Sequence, residues 1–282
     1  MWFKNLWLRK QIIFRPSFII RKTRFVWFKM LSDYRMSTSL SDNQVYPDFC
    51  LKAGSSYRVF KNFRRHPVYN EILEHTDKNL GQKYLDEIVR QPEFIERMEA
   101  FKRNDDWGNP KKCRYDSVGL ISPSTLRYIK VLADLNKLFD SLNGKVICEI
   151  GAGYGGLCRV INAWFKPRKY YLVDIKPALI LAQRYLDNYV IHSALAYKTM
   201  NELEINQYDL VISNYAFTEC PREIQDVYLS KVILNSRCGY ITYNENTWSY
   251  KKEELIRMIP NSAVMDEIPV TATNNCIIFW KN

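Results

Sequence analysis

A glycine-rich turn that follows an apolar run is the part of this sequence with the clearest chemistry. The run 146–150 predicts a buried strand, and it leads directly into Gly151-Ala-Gly153-Tyr-Gly155-Gly156. Glycines at such a turn allow positive φ and let the backbone approach a ligand closely at the carboxyl end of a sheet. The sequence therefore predicts a site for a nucleotide-like molecule at this turn.

Glu149 distinguishes between two classes of nucleotide-like ligand. Gly151, Gly153 and Gly156 also fit the GxGxxG pattern of dinucleotide enzymes, so the glycines alone leave the ligand open. A carboxylate two residues before the first glycine can accept a hydrogen bond from the ammonium of a methionine moiety, whereas it would repel a pyrophosphate. We therefore expect S-adenosylmethionine (SAM) as the cofactor.

Asp174 ends the next apolar run, 23 residues after Gly151, where it can accept from two ribose hydroxyls. The alternative is an aspartate that caps the helix expected to begin near Pro177. The residues that we expect to contact the cofactor lie in this turn, at this strand end and after a later strand: Glu149, Gly151, Ala152, Gly153, Tyr154, Gly155, Asp174, Ile175, Asn214 and Tyr215.

The segment 213–219 (SNYAFTE) follows the fourth predicted strand and is the leading candidate for the reacting side of the site. Glu219 is expected to act as general base or substrate clamp, since a hydroxyl is a poor nucleophile until its proton is accepted. The alternative is an acid favoured by a helix dipole near Pro221. Asn214 and Tyr215 would flank the methionine part and the methyl group, although Tyr215 could also simply pack.

Further candidates lie after other predicted strands and in the helix that precedes the first of them. His192 follows the predicted third strand, and its pKa range suits a proton acceptor. Glu245, with Asn244, lies beyond the fifth strand as a substrate or metal contact. In the helix before the first strand, Arg127 and Tyr128 are expected to contact substrate. Arg127 suits a cofactor carboxylate or an anionic sugar through two parallel hydrogen bonds, or else a surface salt bridge. We predict no metal site, although a divalent metal that activates a hydroxyl remains an alternative.

Short strand-like runs alternate with helical ones in the second half of the chain. The strand-like runs are 145–150, 169–173, 189–191, 208–213, 239–243, 264–268 and 275–280, and the helical runs are 155–165, 177–187, 221–235 and 251–259. Such alternation predicts an α/β fold with a largely parallel sheet covered on both faces. The short connection between the last two runs favours an antiparallel edge at the C-terminus.

The chain divides into three regions by composition: a basic aromatic arm with an irregular linker (1–67), a helical subdomain (68–118) and a cofactor-binding domain (119–282). Residues 1–32 contain eight Lys or Arg and no acid, which leaves a net charge of about +3 for the rest. Such a segment suits a helix on an anionic membrane surface. A helix packed on the body, a disordered start or a transit peptide are alternatives.

Several classes of protein are disfavoured by composition. Because the basic charge belongs to the arm, we expect no nucleic-acid partner. Seven cysteines without a CxxC pair are typical of reduced thiols. The sequence contains neither an apolar run long enough to cross a bilayer nor the apolar core of a secretory signal. We therefore expect a cytoplasmic protein, peripheral at the inner membrane face if the arm binds lipid.

Two levels of resemblance refine these expectations. Glu149-Ile-Gly-Ala-Gly-Tyr-Gly with Asp174 resembles the class I SAM-dependent methyltransferases. The segments 121–128 (ISPSTLRY), 209–219 (DLVISNYAFTE) and 273–275 (TNN) are similar to the bacterial sugar O-methyltransferase family. The resemblance covers about residues 119–282.

This resemblance implies a Rossmann-like sheet of seven strands with an N-terminal helical region, SAM as cofactor and a sugar or glycan-precursor hydroxyl as acceptor. The segment shares only Asn214 with the Asn-Pro-Pro-Tyr signature of enzymes that methylate planar nitrogens, since Tyr215 and Ala216 replace both prolines. Two alternatives remain open. One is methylation of RNA or a secondary metabolite, and the other is a non-catalytic SAM-fold scaffold of a glycan assembly complex.

Overall fold

The computed structural model describes residues 44–282. The predicted basic arm, residues 1–32, lies outside these described residues. No helix within residues 44–282 is long and apolar enough to span a bilayer.

The first part of the described chain is helical. Its helices are α1 (Val45–Ser55), α2 (Tyr57–Phe60), α3 (Pro67–Ile72), α4 (Lys78–Ile88), α5 (Pro92–Glu96) and α6 (Met98–Lys102), with 3-10 turns at Phe63–Arg65 and Arg103–Asp105. A short antiparallel hairpin of β1 (Cys113–Tyr115) and β2 (Gly119–Ile121) follows. The helices share one hydrophobic core with the sheet described below.

Helix α1 lies in a segment for which the sequence predicted an irregular linker. Tyr46, Phe49, Cys50 and Ala53 are all buried, and their spacing of three and four residues forms one apolar face. This face packs on the helix Lys176–Leu186, where a Cβ added to Gly54 would lie 2.7 Å from Ile180 Cγ2. The apolar residues do follow a helical period in the sequence, but the polar residues between them made the segment look irregular.

The second part of the chain alternates strands and helices. The strands are β3 (Val146–Ile150), β4 (Lys169–Val173), β5 (Ala194–Lys198), β6 (Tyr208–Asn214), β7 (Ser236–Tyr243), β8 (Ser262–Asp266) and β9 (Cys276–Lys281). The helices are α7 (Pro123–Phe139), α8 (Gly156–Asn162), α9 (Lys176–Leu186), α10 (Ala216–Glu219), α11 (Arg222–Lys231) and α12 (Lys252–Met258), with 3-10 turns at Met200–Glu202 and Ile233–Asn235.

The seven strands β3–β9 form one sheet in the order β5-β4-β3-β6-β7-β9-β8. The strands from β5 to β7 pair in parallel, and β9 runs antiparallel to both β7 and β8. The predicted fold class, a mostly parallel sheet with an antiparallel C-terminal edge, is therefore confirmed. Because β3 and β6 are central neighbours that run in the same direction, the segments that follow them meet at one edge.

Helix α7 begins as the sequence predicts and lies almost entirely inside the molecule. The Ser122 side chain accepts from the Thr125 N–H, and Pro123 occupies the first turn, where a missing N–H has no cost. The helix packs between α4 and α8, so both of its long faces are covered. Polar residues of α7 are consequently held at fixed positions near the edge where β3 and β6 end.

Candidate functional site

The glycine-rich turn adopts the backbone conformation that its composition predicts. Gly151, Gly153 and Gly155 have φ of 78°, 54° and 82°, in the left-handed region that glycine alone adopts without strain. A Cβ on Gly151 would lie 2.1 Å from the Cβ of Ala216, so a side chain is excluded there by contact as well. The turn thus carries the chain from β3 into α8 with its backbone close to the segment after β6.

Asp174 lies against this turn, as its position at the end of β4 predicts. Its Oδ2 accepts from the Gly153 N–H at 2.8 Å, and its Oδ1 accepts from the Ile175 N–H at 2.7 Å. These two contacts hold the carboxylate beside the backbone of the turn. The structure therefore brings the two strongest sequence candidates for cofactor binding together.

Glu149 is buried at the end of β3, with 3% of its surface exposed. Its Oε2 accepts from the Tyr170 hydroxyl at 2.8 Å. Burial raises the pKa of Glu149 to about 8, an effect that the Tyr170 hydrogen bond partly offsets and the charge of Asp174 reinforces. This carboxyl is mostly protonated at neutral pH, and a cation placed beside it would favour its ionised form.

The side chain of Tyr154 points away from the edge of the sheet. The ring is fully buried, packs edge-on against Tyr185 with centroids 4.8 Å apart, and meets Phe63 at 5.5 Å. Tyr128 packs on the same ring at 6.1 Å. Of the predicted contacts, Tyr154 can therefore offer a ligand only its backbone, and Tyr128 supports the turn through aromatic packing.

A buried arginine, absent from the sequence predictions, extends this packing. Arg64 has no exposed surface and lies 4.9 Å from the Tyr154 ring centroid. Its guanidinium pairs with Glu74 at 2.5 Å and Asp105 at 3.0 Å, and it donates to the hydroxyls of Ser122 and Ser124 at 3.0 Å each. The network joins the N-terminal helices to the start of α7 and to the glycine-rich turn. The residues of this network are far apart in sequence, so no local sequence motif predicts the network.

The segment after β6 has an unusual backbone at Tyr215, where φ is 67° without a glycine. The Tyr215 N–H donates to the Thr242 carbonyl at 3.0 Å, and its hydroxyl donates to the Glu267 carboxylate. Asn214 Oδ1 accepts from the Thr242 hydroxyl at 3.1 Å. A non-glycine residue in this region is strained, and such strain is commonly found at functional sites.

Glu219 lies at the end of α10 and is oriented by Asn244, whose Nδ2 donates to Glu219 Oε1 at 3.2 Å. The Asn244 Oδ1 in turn accepts from the Thr218 hydroxyl. Burial raises the pKa of Glu219, while the Asn244 hydrogen bond and the charge of Arg127 oppose the shift. The structure thus brings Glu219, Asn244 and Arg127, predicted separately, into one neighbourhood.

Arg127 also lines a small, partly open cleft with a water-accessible volume of about 20 Å³, and we call it the β6–β7 cleft. The polar residues that line it include Tyr84, Arg127, Lys130, Asn214, Tyr215 and Glu267. Tyr84, Lys130 and Glu267 were not predicted. Lys130 follows Arg127 by one helical turn, which puts both side chains on one helix face. This spacing could have identified Lys130 as a residue of the cleft. Glu267 lies in an irregular stretch after β8 and has no such signal.

His192 does not reach this site, and its predicted position was wrong. The third strand begins at Ala194 rather than near Tyr189, and Ala194 pairs with Lys169 at the start of β4. Exposed His192 therefore precedes the strand and lies at the amino-terminal edge of the sheet. The predicted run 189–191 is instead a turn after α9, in which the Tyr189 hydroxyl donates to the Arg103 carbonyl at 2.8 Å.

Glu245 also remains outside the cleft. It is exposed, and its carboxylate accepts from Lys251 Nζ at 3.1 Å and Asn274 Nδ2 at 2.9 Å. The Lys251 hydrogen bond is the main cause that lowers the pKa of Glu245. Within residues 44–282, no group of three or more His, Cys, Asp or Glu side chains is placed to hold a metal ion.

Comparison with known proteins shows similarity at the level of solved structures. No family model and no curated protein sequence matches the chain. Magnesium protoporphyrin IX methyltransferase from Synechocystis PCC 6803, solved with bound SAM, is 17% identical, with 54% of this chain and 76% of that chain covered and a TM-score of 0.44. The pyocyanin biosynthetic protein PhzM is 12% identical, with 56% of each chain covered and a TM-score of 0.41.

A third similar structure is the carbon methyltransferase CurJ, which is 16% identical, with 53% of this chain and 51% of that chain covered and a TM-score of 0.38. The sheet order and its one antiparallel strand, β9, make this chain's fold the Rossmann-like sheet that the sequence resemblance implies.

Proposed function

We propose that this chain is a SAM-dependent methyltransferase that transfers a methyl group to a hydroxyl of a sugar or surface-glycan precursor. The observation that carries the proposal is the convergence of Asp174, Glu149 and the glycine-rich turn at one edge of the sheet, one strand away from Glu219. Cofactor-binding and proton-accepting groups are then neighbours, as group transfer requires.

The residues at the turn fit the two polar ends of SAM. Asp174 would accept from the ribose hydroxyls, since its carboxylate is held at the glycine-rich turn by the Gly153 N–H. Glu149 offers a buried carboxyl that would ionise beside the ammonium of the methionine part. When bound, SAM supplies an electrophilic methyl group on a sulfonium.

On the acceptor side, this chain's residues orient a hydroxyl and accept its proton. Burial raises the pKa of Glu219, which makes its carboxylate a stronger base. Asn244 fixes one carboxylate oxygen at 3.2 Å, so the other can face the hydroxyl. The departure of Asn214-Tyr215-Ala216 from the Asn-Pro-Pro-Tyr signature favours oxygen over planar nitrogen as the acceptor.

Calorimetric titration with SAM tests the cofactor assignment. The wild-type protein should bind SAM, and Asp174→Ala should bind it roughly 10- to 100-fold more weakly, because charged hydrogen-bond partners are lost. Asp187→Ala, which removes an exposed aspartate at the end of α9, is the matched control and should leave the affinity unchanged. Unchanged affinity in a folded Asp174→Ala protein would refute the assignment.

The acceptor is tested with SAM that carries a labelled methyl group. A cell extract incubated with the full chain should accumulate label in the glycan or sugar-nucleotide fraction. Label in RNA or in a small secondary metabolite would replace the sugar with one of those acceptors. SAM binding without any transfer would favour the scaffold alternative.

A further inference from the structure

We infer that the β6–β7 cleft binds an oxyanion of the acceptor, a carboxylate or a phosphate, through Arg127. The acceptor is then an acidic sugar such as a hexuronate or a sugar phosphate. This inference rests on the proposed function and specifies its substrate class.

The first observation is that Arg127 is buried without a counter-ion. Only 9% of its surface is exposed, yet no Asp or Glu oxygen of residues 44–282 lies within 4.0 Å of its guanidinium. Its hydrogen bond to the Leu73 carbonyl is long, at 3.5 Å, and the guanidinium carbon lies 5.4 Å from the Tyr128 ring centroid. Leu73 and Tyr128 take some of its donors, but a buried cation is costly unless its charge is also compensated, and among the described residues Arg127 has no carboxylate partner.

The other two charged side chains of the cleft differ in their partners. Lys130 pairs with Asp134 at 2.7 Å. Glu267 accepts from the Tyr215 hydroxyl and from both the N–H and the hydroxyl of Thr271, at 3.0 and 2.7 Å, and these neutral donors leave its charge in place. An anion that enters the cleft therefore has Arg127 as its cationic partner and must lie away from Glu267.

The chemistry of the guanidinium selects the class of ligand. Its planar fork matches two oxygens of a carboxylate or a phosphate and binds them through two parallel hydrogen bonds. Tyr84 and Asn214 line the same cleft and can bond neutral ring hydroxyls. Glu219 does not line the cleft, but the charge of Arg127 acts on its carboxyl, where it opposes the rise in pKa that burial causes. On the inferred binding mode, the ring of a sugar whose acidic group contacts Arg127 extends toward the proposed base.

The methionine carboxylate of SAM is a second source of the same chemistry. Asp174 and the glycine-rich turn do not line the cleft, whereas Asn214 and Tyr215, which are also expected to contact the cofactor, do. The experiment below separates the two sources by measuring cofactor and sugar affinity in the same variants.

The probes are glucose, glucuronate and glucose 1-phosphate, titrated by calorimetry into the full chain saturated with S-adenosylhomocysteine. One of the acidic sugars should bind about 10-fold or more tightly than glucose, the scale of a charged bidentate contact. Arg127→Gln should abolish this preference and leave the affinity for S-adenosylhomocysteine unchanged. The matched control Arg103→Gln removes an arginine that is 65% exposed in its side chain and should keep the preference.

Equal affinity for the three sugars, or no binding of any of them, would overturn the inference. A loss of S-adenosylhomocysteine affinity in Arg127→Gln would also overturn it, because the guanidinium would then serve the cofactor. If Arg127→Gln does not fold, competition in the wild type decides: inorganic phosphate should displace the acidic sugar, and failure to do so counts against the site. A wild-type chain that does not bind S-adenosylhomocysteine would instead overturn the proposed function.

Discussion

Replacing Glu149 with glutamine tests whether this buried carboxyl is protonated in the folded protein. The pKa of Glu149 is about 8 in the fold, against 4.5 for an unperturbed glutamate. Between these values the folded protein holds a proton that the unfolded chain has released. The stability that this proton contributes is therefore fully present below the unfolded pKa and is lost as pH rises toward 8.

The magnitude follows from the slope of this linkage. Each pH unit in the window changes the free energy of unfolding by about 1.4 kcal/mol, so from about pH 5.5 to pH 7.5 the contribution of Glu149 falls by roughly 2 to 3 kcal/mol. Glutamine has nearly the same shape, does not titrate, and keeps an oxygen that can accept from the Tyr170 hydroxyl. Glu149→Gln should consequently lack this part of the pH dependence.

Urea unfolding of both proteins at the two pH values, without ligand, measures the difference. The remaining titratable groups are common to both proteins. They include His75, because burial lowers the pKa of this histidine and its effect on stability therefore changes with pH in the opposite direction to that of Glu149. The difference in unfolding free energy between wild type and Glu149→Gln should therefore shift by roughly 2 to 3 kcal/mol in favour of the variant as pH rises. A difference that stays constant with pH would refute the protonated carboxyl.

Four further predictions concern the cofactor, the base, the buried arginine and the arm. SAM binding at about pH 7 should release up to one proton from Glu149, measured by calorimetry in buffers of different ionisation enthalpy, and Glu149→Gln should lack this release. Glu219→Gln should lower turnover by about 100-fold or more with unchanged SAM affinity, and full turnover would remove this residue from the chemistry. Arg64→Met should lower the free energy of unfolding by about 3 to 5 kcal/mol, because two buried carboxylates lose their partner; a change under about 1 kcal/mol would contradict the network. Flotation of the full chain with anionic liposomes should fall with salt and on deletion of residues 1–32, and equal flotation would dismiss a membrane role.

The fold was largely predictable because its elements carry local signals. Apolar runs bounded by turn residues gave six of the seven sheet strands, and Ser122-Pro123 gave the start of α7. The third strand was misplaced because Val190 and Ile191 have high strand propensity. The actual strand, Ala194–Lys198, contains two alanines, which have low strand propensity, and tertiary pairing with β4 overrides this propensity.

The candidate site was predictable where it follows directly from strand ends. Asp174 and the glycine-rich turn are adjacent in space because β3 and β4 are parallel neighbours, which the alternation of elements implies. Glu267 and Tyr84 reach the cleft from segments that no periodicity connects to it. The pairing of Glu149 with Tyr170 likewise depends on the register of two strands, which one sequence does not specify.

The packing of Tyr154 against the N-terminal helices affects how the glycine-rich turn unfolds locally. Because the Tyr154 ring fixes the turn to the shared core, we expect the protection of the turn amides against exchange to follow the larger unfolding unit rather than local fluctuation of a loop. The turn is thereby ordered before any ligand arrives. Binding at this edge of the sheet then loses little affinity to the entropy of ordering the backbone.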